Sequence, residues 1–446
     1  MKKIYILLLA TLFTSSLMAQ NATSYFMEGS TFRSQWNPAF APQRGYVNIP
    51  FIGGLQADIQ GNISLDNLLF TKNGSLTTLL DASIPASLAL SGLDDINRIG
   101  ASINMSLIEF GAYTKNHRNF WSASLNMRMD MDVRAPYELF DFLKTGTAGN
   151  FANLGMSTNS YIEATFSYSL PIIDKLYVGA RAKFLVGAMR AAFNFDKFDA
   201  QMGADRWYAH TIGTLETSGI IPQTKRANDG STVYDLEELE AKAPGGYGFG
   251  LDIGATYDIL PELQVSLSVN DLGFMAWSAS NSASGQVDKS IEFTGIEIDA
   301  NGNSTRPSFD LDDMEFAIAD KTGKTEMLRA SINAGAEYNF LDHRIGVGLF
   351  YSTKFWKYKT HHNLTASANF RPLRWLHASG SFSYLGSDDT AIGLALNICP
   401  GFINFFVATD ILLSKKTPQW IPIQQSNANV TFGLGVPIGR RGERRE

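Results

Sequence analysis

Trp121-Ser122-Ala123-Ser124-Leu125-Asn126-Met127-Arg128-Met129-Asp130-Met131-Asp132-Val133 decides the fold. Every odd position in it is apolar and every even position is serine, asparagine or charged. Side chains on an extended chain point alternately to two faces, whereas a helix repeats about every 3.6 residues, so the stretch is a strand with one oily and one wet face.

The same rhythm extends outward in both directions. Leu55, Ala57, Ile59, Ile63 and Leu65 alternate with Gln56, Asp58, Gln60, Asn62 and Ser64, and Leu328, Ala330, Ile332, Ala334, Ala336 and Tyr338 alternate with Arg329, Ser331, Asn333, Gly335, Glu337 and Asn339. Weaker copies run through 101–113, 161–170, 176–188, 247–258, 263–269, 345–355, 364–370, 376–384, 391–398, 403–412 and 428–438, which brings the count to fourteen. Most are longer than the roughly 5 or 6 residues of a globular strand and suit a tilted crossing of a bilayer. The gaps at Asn116, Pro171–Asp174, 260–262, 341–343, Pro372-Leu373 and Pro400-Gly401 are tight. Those at 66–100, 134–160, 189–246 and 270–327 are long, and those at 356–363, 385–390 and 413–427 are modest. Short connections on one side and long ones on the other are expected of an outer-membrane barrel with its short turns in the periplasm. In hydrocarbon every backbone N–H and C=O needs an internal partner, and strands supply one only when their sheet closes on itself. Aromatics fall where interfacial belts are expected: Trp121, Tyr257, Tyr338, Phe340 and Trp375 near short turns, and Trp277, Phe355, Trp356, Tyr358 and Tyr384 near the long-loop rim.

Composition narrows the alternatives. The 446 residues are 45% apolar and 18% charged, too oily for a disordered chain, and a net charge of −6 argues against a nucleic-acid partner. The single Cys399 excludes an internal disulfide. Met1–Ala19 opens with Lys2-Lys3, continues with an apolar run from Ile4 to Phe13 broken only by Thr11, and ends at Leu17-Met18-Ala19, the pattern of a cleaved signal peptide. Gln20 stands where a lipid-anchored protein would need Cys. Beyond Ala19 no stretch is long and apolar enough for a helical span, so a membrane role has to use strands.

Arg33-Ser34-Gln35-Trp36-Asn37-Pro38-Ala39-Phe40, just before the first strand, resembles the Asn-Pro-Ala element of the long-chain fatty-acid transporter (FadL-like) barrels. Gly149-Asn150 after 136–143, Tyr161-Ile162-Glu163 opening a strand, and Asn270-Asp271-Leu272-Gly273 leading to Trp277 resemble, more narrowly, an uncharacterised Bacteroidetes outer-membrane family. The resemblance implies a fourteen-stranded barrel with an N-terminal segment folded into its lumen, and, for the transporter, uptake of hydrophobic molecules. The end of the chain departs from the pattern, since Gly439-Arg440-Arg441-Gly442-Glu443-Arg444-Arg445-Glu446 replaces a terminal aromatic residue. The fold expected is therefore an all-β, antiparallel transmembrane barrel with long extracellular loops: signal peptide 1–19, plug-like segment 20–45, barrel 46–439 and basic periplasmic tail 440–446.

Asn37, Pro38 and Ala39 are the gating candidates, with a turn capping the barrel floor as the alternative role. By parity Asp58, Arg128, Asp130, Asp132, Glu163, Arg181, Lys183, Asp252, Arg329 and Glu337 face the lumen. Both signs are present, so they read as a paired network that fills the interior or lines a ligand path, and not as a single-sign ion filter. The segments 76–93 and 137–143 are candidate helices over the mouth. The six histidines are scattered, HExxH, GxSxG and CxxC are absent, and no cofactor, metal or catalytic residue is assigned. Asp299-Ala300-Asn301-Gly302-Asn303 with Asp310 only faintly follows a calcium loop and reads better as a hairpin turn. Two functions remain open: a plugged conduit for small hydrophobic molecules, and a surface or secretion-accessory barrel whose loops 189–246 and 270–327 bind a protein partner.

Overall fold

The computed structural model describes residues 22–63, 67–72, 75–146, 149–202, 207–227, 229–293, 315–355, 360–385, 390–411 and 427–441. The leader at 1–19, the calcium-like stretch at 299–310, Trp356 and Tyr358 lie outside them.

Fourteen antiparallel strands close into a barrel. The first is in two pieces, Arg44–Asn48 and Leu55–Gly61. It is followed by Ile96–Tyr113, Phe120–Pro136, Leu154–Ile173, Leu176–Met202, Gly246–Asp258, Leu263–Trp277, Ser331–Phe340, Ile345–Phe355, Thr360–Leu373, Leu376–Tyr384, Thr390–Ile398, Asn404–Ile411 and Asn427–Arg441. The last strand pairs with both pieces of the first, Asn48 opposite Gly435 and Leu55 opposite Phe432, so no edge is left open. The alternation in the sequence maps onto the two faces. Phe166, Phe184, Tyr247, Phe249, Leu267, Leu349 and Leu394 point outward and are roughly half exposed or more, while Lys183, Asp252, Asn333 and Glu337 point inward and are buried. An apolar belt around a charged interior is a surface suited to lipid.

Several stretches expected as connections are strand. The fourth and fifth strands run for 20 and 27 residues, and the fifth continues past the belt to pair with Trp207–Ser218, which in turn pairs with Ser282–Phe293. A hairpin of Ile220–Arg226 and Thr232–Ala241 joins this sheet. Its core is Phe195, Leu215, Tyr234, Ala283, Val287 and Phe316. Trp277, expected in a rim belt, is buried beside Tyr161, Leu185 and Met275. Of the two expected helices, Tyr137–Thr145 forms and ends at Gly146 in the left-handed conformation. In 76–93 only Ala86–Ala89 is helical.

The N-terminal stretch lies inside the barrel. From Ala22 to Phe40 its residues are almost all buried, and Tyr25, with ring neighbours Phe26, Phe40 and Phe350 at 5.0, 5.2 and 4.1 Å, forms its apolar centre. It bonds to strands on every side: Ala22 N–H to Asp410 (3.0 Å), Tyr25 hydroxyl with Ser266 (2.9 Å), Gly29 N–H to His377 (3.1 Å) and Arg371 to the Phe26 carbonyl (3.0 Å). Only a segment in the lumen can reach residues on opposite walls.

Candidate functional site

The inward face at mid-height is charged. Arg128 meets Glu163 at 3.1 Å and Asp271 at 3.2 Å. Lys183 meets Asp252 at 2.8 Å and Asp271 at 2.5 Å, and Arg181 reaches Asp252 at 3.5 Å. Higher up, Arg329 bridges Asp130 and Asp132 at 3.0 and 2.5 Å. Nearer the short-turn rim, Arg371 pairs with Glu337, whose carboxylate also accepts from Asn369 at 2.8 Å. Asp58 stands apart from these ion pairs and accepts from the Ser102 hydroxyl at 2.6 Å. These contacts form three groups of charges, each of mixed sign.

Asp271 joins the middle group because of a β-bulge. Across the pair of strands, Leu251 faces Leu272 and Ile253 faces Val269, so Asn270 and Asp271 together oppose the single Asp252. Asp271 takes a positive φ of 57°, and its N–H donates to the Asp252 carboxylate at 2.7 Å. The extra residue turns both Asn270 and Asp271 inward and shifts the inner face from even to odd positions above it. That shift also buries Trp277.

The gating candidates sit at the contact between the N-terminal segment and the wall. The Asn37 amide donates to the carbonyls of Ala255 (3.1 Å) and Leu267 (3.3 Å), and its oxygen accepts the Ala39 N–H at 2.9 Å. Ser268 and Asn270 donate to the Trp36 carbonyl at 2.6 and 2.8 Å, and Ser169 donates to that of Ala39 at 3.1 Å. Arg181 donates to the Ser34 carbonyl at 2.8 Å, which ties the charged network to the segment. Glycines in the wall make room for these contacts. A Cβ on Gly254 would strike the Asn37 amide and Pro38, and one on Gly335 would strike the Tyr25 ring.

The segment separates two spaces. Above it, toward the long-loop rim, is a chamber of about 130 Å³ with Gln35 and Trp36 as its floor and Arg128, Asp130, Lys183, Asp271 and Arg329 in its walls. Below it is a vestibule of about 670 Å³ with Glu28, Arg33 and Phe40 as its roof. Arg33 lies 3.8 Å over the Phe40 ring there.

Sequence reasoning missed Asp271, Arg371 and Asp410. Arg371 lies one residue beyond the apparent end of the 364–370 pattern and continues its inward parity. Asp410 follows inward Phe406 and Ala408, which are apolar because Phe32 and Met27 cover them, so the inward face of that strand is not marked by polar residues before it. Among the described residues no group of histidines, cysteines and carboxylates has the arrangement of a metal site.

The comparisons agree with this architecture. The toluene transporter TbuX of Ralstonia pickettii superposes with a TM-score of 0.50 at 11% identity, covering 95% of this chain and 100% of that one. The toluene transporter TodX of Pseudomonas putida covers 94% of each chain at 9% identity and a TM-score of 0.43. A FadL homologue of Pseudomonas aeruginosa covers 95% of this chain and 97% of that one at 9% identity and a TM-score of 0.42. The fold is thus shared with the TbuX barrel. No curated protein matches the chain by sequence. The profile described as a family of unknown function (DUF5723) matches residues 38–410.

Proposed function

Because the chain belongs to DUF5723, a family of unknown function, its role has to come from its own geometry, and we propose that it is an outer-membrane conduit for small molecules whose N-terminal segment is the plug. One observation carries the reading: residues 22–40 stand between a chamber facing the long-loop rim and a vestibule facing the short-turn rim. A passage interrupted by a removable segment is what a gated conduit requires. The apolar belt supports a seat in lipid, and by the usual pattern of such barrels the short turns would be periplasmic and the long-loop rim outside the cell. The segment is fixed by hydrogen bonds and by two apolar clusters, one around Tyr25 and one in which Met27 and Phe32 pack on Phe406 and Ala408. Asn37, Pro38 and Ala39 form its hinge against the wall.

The expectation of a hydrophobic cargo draws support from the fold shared with a toluene transporter. The polar walls of the chamber give it none. A second reading, a barrel that docks a protein partner, draws on the sheet built around 190–241 and 282–293, which has its own apolar core and is more than a connection needs.

Ion conductance across planar bilayers separates the two. Deleting residues 22–40 should convert a nearly silent protein into an open pore, with the barrel's resistance to detergent unfolding retained. A deletion variant that stays folded and silent would sink the conduit reading.

A further inference from the structure

On its outer face the belt carries a groove of about 480 Å³, lined almost wholly by apolar side chains. Side-chain size at each register position makes it. On the eighth strand Ala334 stands between Leu267 and Tyr351, and Ala336 between Val265 and Leu349, so two methyl groups lie between taller rows on the seventh and ninth strands. Leu267 and Leu349, 55% and 54% exposed, are the crests. Adjacent strands lie about 4.8 Å apart, so the two rows stand about 10 Å apart at their backbones, and their side chains leave a channel one polymethylene chain wide.

The row directly above the groove, toward the long-loop rim, is polar. Thr353 stands opposite His362 there, and the Tyr351 hydroxyl reaches up to both. Thr353 donates to the Tyr351 oxygen at 2.7 Å, so the Tyr351 hydrogen goes to His362 Nδ1 at 2.8 Å, and a neutral imidazole that accepts at Nδ1 carries its own hydrogen on Nε2. Stacking on Tyr351 holds the ring in place. His362 is exposed, and its Nε2 has no partner among the described residues. The outer face thus offers an apolar channel with a hydrogen-bond donor at its upper end.

We infer that the groove holds one acyl chain of a membrane lipid from the leaflet on the long-loop side, with the carbonyl oxygen that begins the chain accepting from His362 Nε2–H. The carbonyl is the acceptor at the right depth, because His362 is one row above the groove and a lipid phosphate lies farther out. Tyr351 marks the same boundary, its ring in the groove wall and its hydroxyl in the polar row. A second copy of the chain fits less well. The carbonyls of another barrel's belt are already paired within its own sheet, so it brings His362 no backbone acceptor. The inference rests on the seat in lipid proposed above, and not on whether the lumen conducts.

Native mass spectrometry of the full-length protein in detergent tests it, with dioleoyl phosphatidylglycerol and its diether analogue as probes. One diacyl lipid is expected to stay bound at collision energies that strip the rest, and at least fivefold more of it than of the diether. Ala334→Phe, which fills the groove with another apolar side chain, should lose that lipid. His362→Phe, which keeps a ring and removes the donor, should hold the two lipids equally. Leu394→Phe, elsewhere on the belt, should match the unsubstituted protein, and heat-dependent gel migration shows that each variant is a folded barrel. No lipid retained, the lipid still retained by folded Ala334→Phe, or equal retention of diacyl and diether by the unsubstituted protein overturns the inference. So does a dimer that Ala334→Phe splits, which would give the groove to a second copy. Whether the protein needs detergent to stay in solution is a separate observation, so a wrong groove and a wrong seat in lipid are told apart.

Discussion

Asp252 and Asp271 face each other across a β-bulge and share the Lys183 ammonium, at 2.8 and 2.5 Å. Two carboxylates this close repel unless a cation stands between them, and both are tied down further, Asp271 by Arg128 and Asp252 by Arg181. The bulge and the charge cluster are one feature, since without the extra residue Asp271 would face lipid. The cluster joins the fifth, sixth and seventh strands to the third, so it fixes the shape of the lumen where the N-terminal segment sits.

Lys183→Met should therefore cost far more than the loss of one ion pair. Removing one member of a buried network leaves uncompensated charge and typically costs about 3–5 kcal/mol. Lys183→Arg, which keeps the charge, should cost less than half of that. Urea unfolding of the barrel in lipid vesicles, followed by tryptophan fluorescence, gives both numbers, and equal losses in the two variants would mean that side-chain fit and not charge is what matters.

Gly335 is bare because the Tyr25 ring occupies the space its side chain would need. Gly335→Val should unseat the N-terminal segment and raise ion conductance in planar bilayers toward that of the 22–40 deletion. A Cβ on Gly380 would meet only the tip of Leu394, at 4.0 Å, so Gly380→Ala should leave conductance unchanged. A silent Gly335→Val barrel of normal stability would show that the segment closes the lumen without the Tyr25 contact.

Asn37 makes two kinds of bond, and one substitution separates them. Its oxygen accepts the Ala39 N–H within the segment, and its amide donates to two wall carbonyls. Asn37→Asp keeps the acceptor and places a carboxylate oxygen against the carbonyls of Ala255 and Leu267. If Asn37 only shaped its own turn, this variant would be quiet. As the hinge against the wall it should loosen the segment by about 1–3 kcal/mol, the cost of leaving buried acceptors unsatisfied, and more than Asn37→Ala does. Open-state lifetimes in single-channel recordings rank the two variants.

The sequence carried the barrel because lipid and lumen impose opposite demands on alternate residues, and Trp121–Val133 obeys both along its length. It lost the pattern wherever one of those demands was lifted. Opposite the N-terminal segment the inner face is itself apolar, as at Phe406 and Ala408, so Asp410 had no inward polar neighbours just before it to point it out. At the bulge parity changed in mid-strand, which hid Asp271 and sent Trp277 to the wrong face. Beyond the belt there is no oil to answer to, and the sheet formed by 190–202, 207–218 and 282–293 has no two-sided rhythm to separate it from loop. Arg128, Glu163, Lys183 and Asp252 were individually visible by parity, but their pairings depend on which strands lie side by side, and periodicity does not encode that.

The sheet beyond the belt supplies the test of pH dependence. Burial pushes the Glu216 carboxyl up, but Lys324 and Arg190, both 2.8 Å away, outweigh it and hold the group below the ordinary glutamate range. A carboxylate depressed in the folded state stabilises that state fully above its unfolded value, about 4.3, and the contribution fades as pH falls through the lower folded value. Between pH 7 and 5 the Glu216 contribution should therefore stay constant. Below about pH 4 the strand Trp207–Ser218 should exchange its amide hydrogens faster, while Ile345–Phe355 in the belt stays protected. Glu216→Gln should show the faster exchange already at pH 7 and lose most of the acid-dependent change, because its side chain cannot carry the charge that Lys324 and Arg190 answer. Acid-accelerated exchange of equal size in Glu216→Gln would assign the effect to other carboxylates in the sheet.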